Sequence, residues 1–181
     1  MKKFLRKAKN FIVYSVLYHL SYLFLELLPN LYVSNRIRGG VLGLFFKKTG
    51  KNFAMASGST FVMVRNLEVG DDVYIAHDCW INATAGLQIE SGVIVSPKVV
   101  IATTQHRYRD GAVVLRESDV APVLLGAGCW ICSNVTITKG VTVGAGCVVS
   151  AGSVVTKSLP GKSMCAGQPA VKLKELAEWK A

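Results

Sequence analysis

Residues 125–160 read LGAGCWICSNVTITKGVTVGAGCVVSAGSVVTKSLP, and an aliphatic residue returns at every sixth place: Leu125, Ile131, Ile137, Val143, Val149 and Val155. A period of six matches neither the 3.6 of a helix nor the alternation of a simple strand. It fits a short strand and a turn, wound into a coil with three sides of six residues each. Successive coils then stack at about 4.8 Å, the spacing of hydrogen-bonded strands. The aliphatic residue points inward and fills the coil. The fifth residue of each hexapeptide, such as Cys129, Val135, Val141, Cys147 and Ser153, is small or aliphatic and lets the chain bend at a corner.

The same period extends upstream. Val69, Ile75 and Ile81 are followed, after a slip of two residues, by Ile89, Val95 and Ile101. This predicts three interior columns: Val69, Ile89, Leu125 and Val143; Ile75, Val95, Ile131 and Val149; Ile81, Ile101, Ile137 and Val155. The expected fold is an all-β, left-handed parallel β-helix over residues 51–160. A protruding polar loop, RYRDGAVVLRESDVAP at 107–122, interrupts it, and such a loop is a usual carrier of function. Cys129 and Cys147 lie one coil apart and stack as corner residues. That accounts for the lone Cys129-x2-Cys132 pair without zinc, and no second pair is present. Five cysteines with no secreted-domain framework indicate a reducing compartment.

The two ends depart from the repeat. In segment 1–50, five basic residues precede an apolar run from Phe11 to Leu28. Ser15, His19, Tyr22 and Glu26 fall on one stripe of a helix there. Three readings stand: a helix lying on an anionic membrane surface through residues 1–48, a helix packed on protein, or a signal or spanning anchor. Segment 161–181 leaves the coil at Gly161 and is expected to end in a short helix from about Val171. Lys and Arg outnumber Asp and Glu by 21 to 11, yet no nucleic-acid-binding motif accompanies them.

The chain has three histidines: His19, His77 and His106. His19 belongs to the helical stripe. His77 sits within a regular side of the coil. His106 stands where the long loop departs, a good place for a general base, since neutral imidazole takes a proton near neutral pH.

VYIAHDCWIN, LQIESGVIVSPKVVIATTQH, the 125–160 block and AGQPAVKLKEL resemble the hexapeptide-repeat acyltransferases over roughly residues 65–176. The branch is that of the sugar O-acetyltransferases for galactosides, maltose, colanic acid and other surface polysaccharides. The resemblance implies a homotrimer with sites between adjacent coils. It implies direct transfer of acetyl from acetyl-CoA, as co-substrate, to a sugar hydroxyl, with no metal. His106 corresponds to the family base and Glu117 to the carboxylate that assists it. Trp130, Ser133, Ala151, Thr156, Lys157, Gly167, Pro169 and Lys174 fall along the CoA groove. The galactoside enzymes have an asparagine at the position of Ala76, so either His77, Asp78 or Asn82 is expected to meet the acceptor instead, or the acceptor itself differs. The basic residue that follows the AGxPA turn in the family is Val171 here.

Three rivals are distinguishable. A β-helical γ-type carbonic anhydrase needs two histidines five residues apart, but position 111 is glycine. A non-enzymatic scaffold needs neither His106 nor the groove residues. A small soluble acceptor, such as an antibiotic, free sugar or serine, leaves the basic, apolar N-terminus unexplained. Acetyl-CoA is cytosolic, so the expected location is the cytoplasm, with attachment to the inner face of the membrane.

Overall fold

The computed structural model describes residues 2–177, and in it the six-residue period becomes a left-handed parallel β-helix. The first coil holds β1 (Lys48–Thr49), β2 (Ala54–Met55) and β3 (Thr60–Val62). The second holds β4 (Leu67–Val69), β5 (Tyr74–Ile75) and β6 (Trp80–Asn82), and the third β7 (Leu87–Ile89), β8 (Ile94–Val95) and β9 (Val100–Ala102). A hairpin of β10 (Thr104–Arg109) and β11 (Ala112–Val120) then leaves the coil. The fourth coil follows with β12 (Val123–Leu125), β13 (Trp130–Ile131) and β14 (Thr136–Ile137), and the fifth with β15 (Thr142–Val143), β16 (Val148–Val149) and β17 (Val154–Val155). Strands one coil apart pair in parallel. Face one is β1-β4-β7-β12-β15, face two runs from β2 through β5, β8 and β13 to β16, and face three is β3-β6-β9-β14-β17.

The three expected columns stand in register. Val69, Ile89, Leu125 and Val143 are paired in series on face one. Ile75, Val95, Ile131 and Val149 are paired on face two, and Ile81, Ile101, Ile137 and Val155 on face three. All twelve are essentially without solvent contact. Burial of an aliphatic side chain of this kind contributes about 1.5–3 kcal/mol. Two corners turn through left-handed residues stacked coil upon coil. Asn52, Asp72, Gly92, Gly128 and Gly146 turn the first; Gly58, Asp78, Lys98, Asn134 and Gly152 turn the second. Asn, Asp and Gly tolerate this conformation best, which is why they recur there.

Irregularity is confined to the third corner, between faces three and one. Val69 pairs with Ile89, twenty residues on, whereas Leu125 pairs with Val143, eighteen on. The two extra residues of the early coils lie between β3 and β4 and between β6 and β7. The hairpin leaves by the same corner. Faces one, two and three therefore stay flat.

The N-terminal segment is helical, and the coil begins within it, at Lys48. Helix α1 (Lys2–Phe11) runs through a π-helical stretch, Ile12–Leu17, into α2 (Tyr18–Glu26); α3 (Tyr32–Gly43) follows. They close the N-terminal end of the coil. Phe46 lies between Phe53 and Phe61, with ring centroids 5.7 and 5.9 Å away, and Tyr18 meets Phe45 edge-on at 5.5 Å. Gly39 of α3 lies so close that a Cβ there would stand 2.4 Å from the Phe53 carbonyl oxygen.

Arg38 pins this cap. It is fully buried, and among the described residues no carboxylate forms an ion pair with it. Its Nη2 donates to the carbonyls of Leu28 at 2.8 Å and Leu25 at 3.2 Å, at the end of α2. Its Nη1 donates to Asn35 Oδ1 at 2.8 Å and to the Met55 carbonyl on the first coil at 3.1 Å. A helix leaves its last carbonyls unpaired and carries partial negative charge there, so a guanidinium is well suited to the position.

The C-terminal helix expected from about Val171 is not formed. Residues Ser163–Gly167 (β18) add to face two beside β16, and Ala170–Glu175 (β19) fold back antiparallel on β18. The turn passes through Gly167 at φ 110°. A terminal strand presents unpaired N–H and C=O groups along its edge, and β19 satisfies them, which outweighs the weak helical preference of AVKLKE. The remainder of that expectation, residues 178–181, lies outside the described residues.

Arg38→Met keeps most of the volume and leaves several buried carbonyls without a donor. Urea denaturation should show a loss of about 2–4 kcal/mol. An unchanged midpoint would mean that Arg38 does not hold the cap.

Candidate active site

The segment expected as a polar loop is a β-hairpin, and it starts at Thr104. Its tip is Asp110-Gly111, both left-handed, at φ 51° and 81°. An Asp-Gly pair in this conformation matches the twist of two antiparallel strands, and it was the signal in the sequence that a hairpin was present. His106 lies on β10 opposite Ser118, at a bulge between His106 and Arg107. It is exposed near the foot of the hairpin, where the chain leaves the third corner.

Ion pairs across the hairpin fix its register. Arg107 Nε donates to Asp119 Oδ1 at 2.6 Å, and Arg109 Nη2 to Glu117 Oε2 at 2.8 Å. Arg107 Nη1 lies 3.6 Å from the same Glu117 oxygen. Glu117 is thus held by two arginines, and among the described residues no hydrogen bond joins it to His106. In the isolated chain it orders the hairpin rather than the imidazole. A bulge at His106/Arg107 turns successive side chains out of simple alternation.

The residues expected to line the CoA groove divide into two groups. Trp130 opens face two; its Nε1 donates to Ser96 Oγ at 2.9 Å, and its indole is half exposed. Ser133 and Ala151 lie at the second corner in successive coils, linked by the bond from the Gly152 amide to the Ser133 carbonyl at 3.0 Å. Gly167 joins that corner through its amide, which donates to Ser153 Oγ at 3.2 Å, and Gln168 Nε2 donates to the Gly152 carbonyl at 2.7 Å. Pro169 is exposed beside them, and Lys174 pairs with Met164 on β19. These residues share face two and its far corner. Thr156 and Lys157 instead follow β17 at the third corner, on the same edge as His106 but two coils on. In a three-sided coil the third corner is the edge opposite face two. One chain therefore separates His106 from Trp130 by the width of the coil.

The acceptor candidates also divide. His77 and Asp78 form an exposed pair at the second corner, Nδ1 to Oδ2 at 3.0 Å. Asn82 is buried at the third corner. Its Oδ1 accepts from the Thr84 amide at 2.8 Å, and its Nδ2 donates to Thr104 Oγ1 at 3.3 Å. Thr103 Oγ1 donates to the Asn82 carbonyl at 2.9 Å and accepts from the Ala85 amide at 3.1 Å. Asn82 and Thr103 thus anchor the root of the hairpin that carries His106. Spacing could not reveal this, because these bonds cross coils. A cleft of about 570 Å³ opens at this corner beside face one, lined among others by Asn66, Thr84, Gly86, Gln88 and Pro122. His106 does not line it.

The cysteines belong to the structure. Cys129 Sγ donates to the Gly144 carbonyl at 3.0 Å, and Cys147 Sγ lies 3.8 Å from Cys165 Sγ. Burial pushes the thiols of Cys79, Cys129, Cys132 and Cys147 above their ordinary value, which disfavours the thiolate. Among the described residues no three His, Cys, Asp or Glu side chains come together as a metal site.

Known proteins agree with this architecture. Residues 122–157 match the bacterial transferase hexapeptide (six repeats) family. The Escherichia coli (strain K12) protein WcaF, which bears the name of a colanic acid biosynthesis acetyltransferase, is 31% identical over 143 residues, covering 79% of this chain and 77% of its own. The galactoside O-acetyltransferase of the same strain is 28% identical over 139 residues, covering 77% and 68%. A solved galactoside acetyltransferase in complex with coenzyme A superposes with a TM-score of 0.77 at 25% identity, covering 88% of this chain and 79% of that one. The chain belongs to the hexapeptide-repeat acetyltransferases.

Proposed function

We propose that the protein transfers acetyl from acetyl-CoA to a hydroxyl of a sugar, in a cell-surface polysaccharide or its lipid-linked precursor, and that it does so in the cytoplasm as a homotrimer. The similarity to a galactoside O-acetyltransferase, and to a solved relative holding coenzyme A, supports both substrates. The observation that carries the reading is the division of the site residues. His106 stands on one edge of the coil and Trp130, Ser133, Ala151 and Gly167 on the opposite face, so a second copy must bring them together. The hairpin favours such a partner, because Tyr108, Val113, Leu115 and Val120 are all exposed on it. A sheet of two strands does not keep so much apolar surface in water without cost.

The steps balance without a further reagent. His106 takes the proton of the acceptor hydroxyl as its oxygen attacks the thioester carbonyl. The carbon–sulfur bond breaks, and the imidazolium returns the proton to the leaving thiolate. The products are an acetyl ester and free CoA. The half-exposed indole of Trp130 and the small residues beside it suit a groove for the pantetheine arm. The bland alternative, a scaffold of the same fold, leaves His106 and the anchoring of its hairpin by Asn82 and Thr103 without purpose.

His106→Ala should lower turnover by about 10²–10⁴-fold, the usual contribution of a general base, while acetyl-CoA binding and the melting temperature stay the same. Near-normal turnover would remove His106 as the base. An abolished His77→Ala would transfer the role to that residue. Trp130→Ala should raise the KM for acetyl-CoA roughly 3–10-fold with little change in that for the acceptor. An unchanged KM would take Trp130 out of the groove.

A further inference from the structure

From the N-terminal cap we infer a preformed docking surface for an anionic lipid bilayer, which holds the capped, N-terminal end of the coil against the membrane. Three observations carry it, and none depends on the proposed chemistry.

The first is that the helices leave a broad apolar face uncovered beside the one they bury on the coil. Of the polar stripe on the first helix, Tyr22 donates to the Ser59 carbonyl at 3.0 Å, and Glu26 accepts from the Gly58 amide at 2.8 Å. Ser15 and His19 line a cavity of about 290 Å³ between the helix and Phe61–Arg65 of the first coil. Tyr22 and Glu26 thus face protein together with the buried Tyr18 and Leu25, while Ser15 and His19 are exposed at the edge of that cavity. The outward side presents Ile12, Val16, Leu20, Leu23, Phe24 and Leu27, all exposed, Leu27 by 78%. A helix that meets water presents a polar or charged face there. Leu31 just before α3, Val33 and Ile37 within it, and Leu44 just past its end are exposed as well.

The second observation is charge. Residues 1–67 contain eleven lysines and arginines and a single carboxylate, Glu26; residues 68–181 contain ten of each. The whole +10 excess of the chain belongs to the cap and first coil. The one carboxylate is turned onto the coil. Arg38 is buried and Lys47 pairs with Glu68, and the other nine belong to the same segment of sequence as the apolar face, a composition that complements anionic headgroups. They disfavour pairing of two caps, which would set like charges together.

The third is rigidity. Arg38 bonds the end of α2, α3 and the first coil into one body, so the apolar face is presented without unfolding. Among the described residues no helix is long and apolar enough to cross a membrane. The surface therefore lies in the interface.

The test uses the full chain and sedimentation with vesicles. Phosphatidylcholine vesicles with about 30 mol % phosphatidylglycerol should bind at least roughly tenfold more protein than pure phosphatidylcholine. Leu27→Glu/Leu31→Glu alters two exposed side chains. It should abolish that binding while circular dichroism, melting temperature and acetyl transfer to a soluble acceptor are retained. Equal binding to both vesicle types, or binding unaffected by the double substitution, would overturn the inference. So would an assembly seen by light scattering that the double variant dissolves, which would make the face a contact between copies. Loss of membrane binding with transfer intact separates this inference from the proposed activity, and loss of transfer with binding intact separates them the other way.

Discussion

Every strand of the coil bonds only to the strands one turn above and below, and that constraint governs the rest of the structure. A strand of two or three residues has no stability by itself. It persists because its backbone groups and its one inward side chain continue a stack. Ile131 must sit over Val95 and under Val149. A one-residue slip would turn an aliphatic side chain out and a polar one in. Extra residues can therefore enter only where the chain is between faces, and here they all enter at one corner. Concentrating irregularity at the third corner gives the protein three flat faces and a single place for a projecting hairpin. His106 rides on that hairpin.

The same constraint explains how legible the sequence was. The columns could be read because register along a stack is a strictly local property of spacing, and all twelve residues stand where the period puts them. RYRDGAVVLRESDVAP reads as a loop because it lacks an apolar alternation; the strands of the hairpin are exposed on both sides. Asp110-Gly111 carries the contrary signal. AVKLKE reads as a helix because its lysines and leucine suit one locally. The free edge of β18 decides the matter, and an edge is visible only once the coil is built. Arg38 was equally hidden. A basic residue in an apolar segment reads as surface, whereas here it satisfies helix-end carbonyls that have no partner in their own helix.

The candidate site residues divide between two edges of the chain. Asn82 and Thr103 hold the root of the hairpin, and Arg107, Arg109, Glu117 and Asp119 hold its body. That network presents His106 on a rigid support, which suits a base that must meet its proton within hydrogen-bond reach. Across the coil, Trp130, Ser133, Ala151 and Gly167 share face two and the second corner, away from His106, and the imidazole at that corner is His77. Each group is ordered, and on the proposed reading a second copy joins them.

Co-assembly of two impaired forms tests this account most directly. His106→Ala and Trp130→Ala chains, co-expressed with different tags and purified together, should transfer acetyl at low acetyl-CoA concentration faster than the mean of the two variants assayed apart. With random mixing about one quarter of the sites would join an intact His106 edge to an intact Trp130 face from a neighbour. Recovery to that order is what a site shared between chains requires. A mixed assembly no more active than the two variants assayed apart would place both halves of the site within one chain and contradict it.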